Sequence, residues 1–218
     1  MATISILGPA PAVRNFPWRM VGACERVVSA GLLIALGPAL VGLLAATWIL
    51  SGRTPLIAHR RVGRYGRALW MLKLRTMWGD GCRTGRRRGW VEYVEDSGPP
   101  EKNPSDPRVS HWLAHFCRQH SVDELPQLWH VLTGEMSLVG PRPLTIYELE
   151  RYYGADAQEV LRVKPGLAGL WQVSGRNRLS YTERKQLDLQ LVRTLSLQSY
   201  LRILWKTLPE VWSGANTW

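Results

Sequence analysis

Residues 121–143 read SVDELPQLWHVLTGEMSLVGPRP, and we take this stretch as the one around which the rest of the chain is arranged. It begins with two adjacent carboxylates, Asp123 and Glu124, at a predicted helix start, and it closes on a Gly-Pro-Arg-Pro corner. Arg118 precedes the pair and Arg142 follows it. An acidic pair set between arginines, in a chain of formal charge +11, favours phosphoryl chemistry on an anionic ligand.

The start of this helix can be assigned in two registers. With Ser121 as N-cap and Glu124 three residues on, the segment forms a capping box, and Pro126 removes a hydrogen bond in the second turn. With Asp123 as the cap, Pro126 lies in the first turn, where no N–H is needed. In both registers the helix dipole favours an ionised Asp123. Aspartate is common at helix starts without catalysis, so this segment alone does not establish a reaction.

The pair also has a chemical interpretation. An ionised carboxylate can attack phosphorus and form an acyl phosphate. A neighbouring carboxylate can hold Mg²⁺, which binds through one or two carboxylates and substrate phosphates and screens the charge repulsion between them. Arginines bind phosphates with paired hydrogen bonds. The candidates for that role are Arg75, Arg118, Arg142 and Arg176.

Composition narrows the class of protein. The 218 residues are enough for one sizeable domain with appendages, and 28 Lys and Arg against 17 Asp and Glu indicate an anionic partner. Eleven Trp are typical of contact with lipid headgroups. The cysteines Cys24, Cys82 and Cys117 form no metal or redox pattern and fit a cytoplasmic setting.

Residues 27–52 carry no charge and are long enough to cross a bilayer as a helix. Pro38 follows Gly37 near the middle, and a proline inside a helix removes a hydrogen bond and kinks or breaks it. Basic residues flank both ends, which pulls both ends toward the cytoplasm. These features predict a re-entrant helix broken at Gly37 and Pro38. A kinked helix that spans once is the alternative.

The remaining segments have simpler patterns. Residues 54–78 predict a strand, a turn and a strand, with Lys73 and Arg75 on one face, where they meet a diphosphate or only solvent. Residues 79–105, with their basic cluster at 83–88, predict a mobile surface excursion. Residues 164–177, KPGLAGLWQVSGRN, predict a glycine-rich loop that approaches a ligand.

From residue 179 the chain is predicted to be helical. An apolar stripe there packs on the core or lies in the membrane interface, with Trp205 and Trp212 as anchors; it comprises Leu197, Tyr200, Leu201, Leu204, Leu208, Val211 and Trp212.

Taken together, these motifs resemble the bacterial sugar transferases, the monotopic polyprenyl-phosphate phosphoglycosyl transferases. The resemblance runs from about residue 25 to residue 209. It includes the apolar run interrupted at Pro38 and the motifs RRVGRYGR, LKLRTM, SDPR, SVDELPQLW, GEMSLVGPRP, KPGLAGLWQVSGRN and ERKQLDL, in the family's order. The short chain is similar to members that begin exopolysaccharide synthesis with a hexose.

The resemblance implies a mainly helical α+β fold with a flexible tail (1–22), a re-entrant membrane helix (23–53) and a cytoplasmic catalytic domain (54–218). That domain would contain a small β-hairpin and interfacial amphipathic helices. The implied location is the cytoplasmic face of the bacterial inner membrane. The implied partners are a UDP-sugar, undecaprenyl phosphate and membrane lipid, not nucleic acid, and homo-oligomerisation is left open.

The resemblance also implies a reaction and its residues. Sugar-1-phosphate passes from UDP-glucose or UDP-galactose to undecaprenyl phosphate, and UMP is released. Asp123 would be the nucleophile and Glu124 the Mg²⁺ ligand. The implied substrate-binding residues are Lys73, Arg75, Arg118, Arg142, Lys164, Gln172 and Arg176.

The chain departs from the family pattern at several positions. Gly37 replaces the usual Ser before the helix-breaking proline, and Val122 stands where Leu is usual. The Arg-rich and Gly-rich residues 79–90 and the C-terminal SGANTW are also unlike the family. A second hypothesis is a basic, non-catalytic membrane adaptor that binds lipid or nucleic acid through Arg86–Arg88 and its tryptophans. It gives no reason for the acidic pair.

Overall fold

The computed structural model describes residues 17–79, 85–95, 106–175 and 178–213. The helices are α1 (Trp18–Ser51), α2 (Trp112–Gln119), α3 (Leu128–Thr133), α4 (Ile146–Glu148), α5 (Ala157–Val160), α6 (Tyr181–Thr194) and α7 (Leu197–Ser213). The strands are β1 (Leu56–Val62), β2 (Ala68–Leu74), β3 (Arg86–Arg88), β4 (Val91–Val94), β5 (Ser137–Val139) and β6 (Gly166–Ala168). Single 3-10 turns at Arg64–Gly66, Val122–Gln127 and Gly154–Asp156, and a π-helical turn at Leu149–Tyr153, connect them. The α+β class is therefore as predicted.

Helix α1 is continuous for 34 residues and passes through Pro38. The predicted break at Gly37 and Pro38 is not confirmed. Proline disfavours a helical residue before it mainly through a clash with that residue's Cβ and N–H, and Gly37 has no Cβ. Uncharged, mostly apolar residues on both sides continue the helical pattern. The helix begins at Trp18, so the described end of the predicted flexible tail is helical, while residues 1–16 lie outside the described part.

Helix α1 packs against the globular domain near both of its ends. At the N-terminal end Val21 joins a core cluster with Val139 and Leu191. At the other end Leu43 and Leu44 pack, with Ala46, on the cluster of Leu74, Leu113 and Cys117. The exposed side chains of its middle are apolar, and among the described residues α1 alone is long and apolar enough to cross a membrane.

Glu25 ties α1 to the domain. Its carboxylate is buried and accepts hydrogen bonds from the Ser137 hydroxyl, the Leu138 N–H at 2.7 Å and the Tyr200 hydroxyl. These donors come from β5 and α7, so one side chain joins three elements. A buried carboxylate is tolerated only where such donors replace its hydration.

The predicted hairpin is confirmed as β1 and β2, which pair antiparallel from Leu56 with Leu74 to Val62 with Ala68. It is part of a larger sheet of strand order β2-β1-β4-β3, with β4 parallel to β1. The predicted excursion at 79–105 was therefore wrong for residues 86–94, which form the β3–β4 hairpin. Its turn includes Gly89 in the left-handed region, at φ 58°. The three arginines of β3 are exposed, and such charge is common on edge strands.

A second, two-stranded sheet locks the Gly-Pro-Arg-Pro corner in place. Strands β5 and β6 pair in parallel, and the Gly140 N–H donates to the Ala168 carbonyl at 2.9 Å. A Cβ at Gly166 would lie 2.0 Å from the Gly140 nitrogen, so the two backbone segments can come this close only with glycine at these positions. The close approach places Arg142 beside the loop that follows Lys164.

Helix α7 has one face toward the core and one toward solvent. Tyr200 and Ile203 are buried, whereas a row one turn apart is exposed. That row consists of Leu197, Leu201, Trp205 and Leu208. One face of α7 therefore packs on the core, as one alternative predicted, and the other face is exposed and available for a membrane interface. The side chain of Trp212 lies outside the described residues.

We predict that Glu25→Gln lowers the free energy of unfolding by about 1–3 kcal/mol, because the three donors, which all bond to one carboxylate oxygen, lose a charged acceptor and keep only a neutral one. Thermal unfolding of the detergent-solubilised chain measures this. Glu150→Gln, at an exposed position, is the matched control and should have no effect. Equal melting temperatures for all three proteins would contradict the role of Glu25.

Candidate functional site

The acidic pair lies in a 3-10 turn, not at the start of an α-helix. The turn covers Val122–Gln127, and α3 begins only at Leu128. Ser121 has φ 54° and makes no side-chain cap, while the Glu124 N–H donates to the Ser121 carbonyl at 3.1 Å. The capping box at Ser121 is therefore wrong, and Asp123 lies within the turn. Pro126, which has no N–H, lies inside the same 3-10 turn.

Lys73 of β2 reaches both carboxylates. Its Nζ is 2.6 Å from Glu124 Oε1 and 3.9 Å from Asp123 Oδ2. Asp123 is 8% exposed, and burial raises the pKa of its carboxyl to about 6, an effect that Lys73 opposes and the neighbouring Glu124 charge increases. Asp123 is thus a poorly hydrated carboxylate next to a cation, a state that favours reactivity.

Arg118 supplies a second cation from the last turn of α2. Its guanidinium donates to the Thr76 hydroxyl at 3.4 Å, and its pKa is lowered mainly by burial while Asp123 raises it. Asp106 and Arg108 form an ion pair of 2.6 Å beside it. The two carboxylates of the pair are therefore balanced by two cations, Lys73 and Arg118.

His130 fixes α3 against the sheet. The Leu72 N–H donates to His130 Nε2 at 3.2 Å, so Nδ1 carries the proton and donates to Glu135 at 2.7 Å. The Gln127 and His130 side chains are buried on the same segment. This contact holds the segment that follows the acidic pair against β2, the strand that carries Lys73.

The Arg75 guanidinium is buried against β4 and Thr54. The residue is 1% exposed, and its guanidinium forms an ion pair with Glu92 of β4 at 2.6 Å and donates to the Thr54 carbonyl at 2.7 Å. Lys73 and Arg75 were predicted to meet a diphosphate together, but β2 ends at Leu74, and the two cations have different partners. Phosphate binding by Arg75 has no support in this arrangement.

Arg142 lies in a second polar cluster. Its guanidinium is 5.7 Å from the centre of the Trp171 ring, and Arg184 of α6 is 4.8 Å from the same ring. Asp188 is fully buried and accepts from the Tyr153 hydroxyl at 2.7 Å. Within the described residues no hydrogen bond or ion pair joins Arg142 to the acidic pair.

Two more of the predicted substrate-binding residues, Lys164 and Gln172, have their contacts away from the pair. Lys164 is half-buried near Glu25, Arg26 and Arg64. Gln172 donates to the Leu167 carbonyl at 3.1 Å. Arg176 lies outside the described residues. Of the predicted set, the structure brings together Asp123, Glu124, Lys73 and Arg118.

Sequence reasoning missed the supporting residues Thr76 and His130. Burial and the Asp123 charge raise the pKa of the Cys117 thiol to about 11, so it is a protonated packing residue and not a competing nucleophile. His130 could have been found from its position seven residues after Asp123, since both face the same neighbouring strand. Thr76 gave no signal in the sequence.

The pair fits Mg²⁺ better than a metal held by protein ligands alone. No group of three or more metal-binding side chains occurs among the described residues, but Mg²⁺ needs only one or two carboxylates when phosphates complete its shell. The Glu124 side chain is 29% exposed, so a metal ion can approach it from solvent. The charges of Lys73 and Arg118 offset those of Asp123 and Glu124 and leave no excess positive charge. An anionic diphosphate bound at the pair would therefore need another cation.

Comparison with known proteins identifies relatives over nearly the whole chain. A family model described as bacterial sugar transferase matches residues 17–214. A UDP-galactose-lipid carrier transferase of Erwinia amylovora is 42% identical over 86% of this chain and 39% of its own length. The exopolysaccharide production protein ExoY of Sinorhizobium fredii is 40% identical over 82% of this chain and 79% of its own. A UDP-glucose:undecaprenyl-phosphate glucose-1-phosphate transferase of Caulobacter vibrioides is 35% identical over 88% and 70%. This chain thus spans about two fifths of the Erwinia protein and most of the other two.

We predict that Arg75 and Lys73 respond differently to substitution. Arg75→Gln leaves the Glu92 carboxylate buried without its cation and should lower the free energy of unfolding by about 3–5 kcal/mol. Lys73→Gln leaves a partly exposed Glu124 and should cost about 1 kcal/mol or less. Urea unfolding of both variants in detergent measures this. An equal loss in the two variants would contradict the assignment of Arg75 to the fold and Lys73 to the site.

We also predict that Asp188 makes the fold less stable as pH rises through neutrality. Burial raises its pKa to about 7, against the opposing effects of the Tyr153 hydrogen bond and the Arg142 charge, and the Glu148 charge raises it further. Because the folded pKa lies above the unfolded value, the native state holds the proton more tightly, and its stability falls as pH passes through 7. The loss between pH 6 and pH 8 should be about 1 kcal/mol.

Asp188→Asn should remove that loss, as measured by urea unfolding at both pH values. Asp156→Asn, at a surface ion pair with Lys185, is the control and should keep the wild-type pH dependence. If Asp188→Asn shows the same decrease from pH 6 to pH 8 as the wild type, Asp188 is ionised in the folded state and the prediction is wrong.

Proposed function

Because this chain belongs to the bacterial sugar transferase family, we propose that it transfers a hexose-1-phosphate from a UDP-sugar to undecaprenyl phosphate and releases UMP. The names of the Erwinia and Caulobacter relatives, which give UDP-galactose and UDP-glucose chemistry on a lipid carrier, support the substrate classes. The name of the Sinorhizobium relative supports a role in exopolysaccharide production, and we propose that this transfer is its first step.

The observation that carries the proposal is the buried Asp123 carboxylate beside Lys73. In the first step an Asp123 oxygen attacks the phosphorus that bears the sugar. An acyl-phosphate bond forms, the bond between the two phosphates breaks, and UMP leaves with the electron pair. In the second step an oxygen of undecaprenyl phosphate attacks the same phosphorus. The lipid diphosphate sugar forms, and the Asp123 carboxylate is regenerated.

Burial of Asp123 has a chemical consequence in this scheme. A carboxylate with few water molecules around it has less hydration to lose on attack, and Lys73 keeps it ionised near neutral pH. Lys73 comes from β2 and Arg118 from α2, and both cations can also compensate charge on the transferred phosphoryl oxygens. His130 holds the turn at the distance from β2 at which Lys73 reaches both carboxylates.

We propose Glu124 as the residue that would hold Mg²⁺ together with the substrate phosphates. Bound there, the ion would offset the repulsion between an anionic nucleophile and an anionic diphosphate. The observation in favour is the local charge balance. The charges of Lys73 and Arg118 are already offset by the two carboxylates, so a bound diphosphate would require an additional cation.

We propose further that the enzyme acts at the cytoplasmic face of the bacterial inner membrane, with α1 as a re-entrant element. Contacts of one globular domain with both ends of α1 support this topology, because a helix of about 50 Å that crossed the bilayer would carry one end away from the domain. The exposed Trp48, Trp112 and Trp129 and the exposed row on α7 are typical of a headgroup contact.

The adaptor hypothesis is weaker. It explains the exposed arginines of β3, but it gives no role to a carboxylate pair that is partly buried and matched by two cations. Burial of the Asp123 carboxylate costs stability, and a catalytic role accounts for a costly group at this position, whereas an adaptor role does not.

Asp123→Asn should abolish UMP release from UDP-glucose or UDP-galactose, even without lipid acceptor, because the amide is no nucleophile toward phosphorus. A coupled assay for UMP measures this on protein in detergent. Asp156→Asn is the control and should release UMP at the wild-type rate. Unchanged release by Asp123→Asn would remove Asp123 as the nucleophile.

Removal of divalent metal with EDTA should stop UMP release, and added Mg²⁺ should restore it. Glu124→Gln should raise the Mg²⁺ concentration for half-maximal rate by about 10-fold or more, with a melting temperature near that of the wild type. Glu150→Gln should keep the wild-type titration. A titration of Glu124→Gln that overlays the wild type would assign the metal to other ligands.

A further inference from the structure

A cavity of about 200 Å³ lies between the N-terminal end of α1 and the domain, apart from the acidic pair. Trp18 and Arg19 line it from α1, Arg64 from the 3-10 turn after β1, and Lys164 from the loop before β6. Glu25 also lines it. The pieces are far apart in sequence, so the fold brings three cations to one concave site.

The charges in this cavity are not balanced. The Glu25 carboxylate is occupied by donors from Ser137, Leu138 and Tyr200. Arg64 uses its Nε on the Arg162 carbonyl at 2.9 Å, which holds the guanidinium at the cavity wall. Lys164 has no hydrogen-bond or ion-pair partner within the described residues, although it is half-buried.

Burial and the nearby Arg26 and Arg64 charges lower the pKa of Lys164, while Glu25 raises it. A half-buried ammonium without a partner, among further cations, is a site that an anion would stabilise. The N-terminal end of α1 adds its positive dipole end to the same place.

The cavity lies where the charged part of the chain meets the apolar run. Glu25 and Arg26 are the last charges before residue 27, and Trp18 lies about two helical turns earlier. On a membrane-inserted α1 this is the headgroup level. Glu25 of the cavity wall bonds to Ser137 and Leu138, which follow α3, whereas the acidic pair lies before the start of α3. The cavity is therefore at the opposite end of that helix from the catalytic candidate.

We propose that this cavity binds the phosphate of an anionic phospholipid headgroup and so fixes the N-terminal end of α1 at the membrane surface. A phosphodiester supplies one negative charge and oxygen acceptors to Lys164, Arg19 and Arg64. A zwitterionic headgroup brings an ammonium close to these cations and is disfavoured. The site is independent of the proposed transfer reaction.

The test measures lipid binding and not activity. The full chain in neutral detergent is titrated with phosphatidylglycerol or phosphatidylcholine, and bound lipid is counted by native mass spectrometry. One phosphatidylglycerol should bind in preference to phosphatidylcholine. Lys164→Gln and Arg19→Gln should each weaken that binding about 10-fold. Arg19 is exposed on the first turn of α1, so its variant tests the site without disturbing the core.

Arg67→Gln, an exposed arginine on the turn next to Arg64, is the matched control and should bind like the wild type. Inorganic phosphate, titrated without lipid and followed by thermal unfolding, separates the two phosphate sources. A saturable shift that needs Lys164, with no preference for phosphatidylglycerol, would replace the lipid by a soluble phosphate. Equal lipid binding by Lys164→Gln, Arg19→Gln and the wild type would overturn the proposal.

Discussion

The ion pair between Lys73 and Glu124 is the contact on which the candidate site depends. It spans 2.6 Å and joins β2 to the 3-10 turn, and it brings the same ammonium to 3.9 Å from Asp123. Without that cation, two adjacent carboxylates on a partly buried turn would repel each other, and burial would protonate Asp123 further. The sheet holds Lys73, and the hydrogen bond from the Leu72 N–H to His130 holds the segment that carries the pair against β2. A charge that is costly to bury is retained because the surrounding fold balances it.

Helix α1 also contains a buried carboxylate whose charge is stabilised by surrounding groups. Glu25 replaces its lost hydration with donors from β5 and α7, so the apolar helix is fixed to the domain by a polar contact at one end and by packing at the other. An apolar helix held in this way keeps the domain beside the bilayer at a constant orientation. The proposed site can then receive a water-soluble nucleotide sugar and a lipid phosphate in one place.

Local patterns in the sequence predicted local structure well and long-range partners poorly. The alternation in residues 54–78 predicted the hairpin, and Asp123, Glu124, Lys73 and Arg118 were predicted as one site and lie together. Arg75 was assigned to that site because strand alternation puts it on the same face as Lys73. Its actual partner, Glu92, is 17 residues away on a strand whose pairing no local pattern reveals. The break at Pro38, predicted from the proline and from the basic residues on both flanks, is not confirmed, because α1 continues through it and the preceding glycine removes part of the clash that makes proline break helices.

The most direct test of the account is detection of the covalent intermediate on Asp123. The protein is mixed with UDP-galactose or UDP-glucose without lipid acceptor, quenched in acid, digested and analysed by mass spectrometry. We predict a hexose-phosphate adduct on the peptide that contains Asp123, formed in proportion to UMP and discharged by undecaprenyl phosphate. Release of UMP only when undecaprenyl phosphate is present, with no adduct on that peptide, would contradict the account and indicate direct transfer between the two substrates.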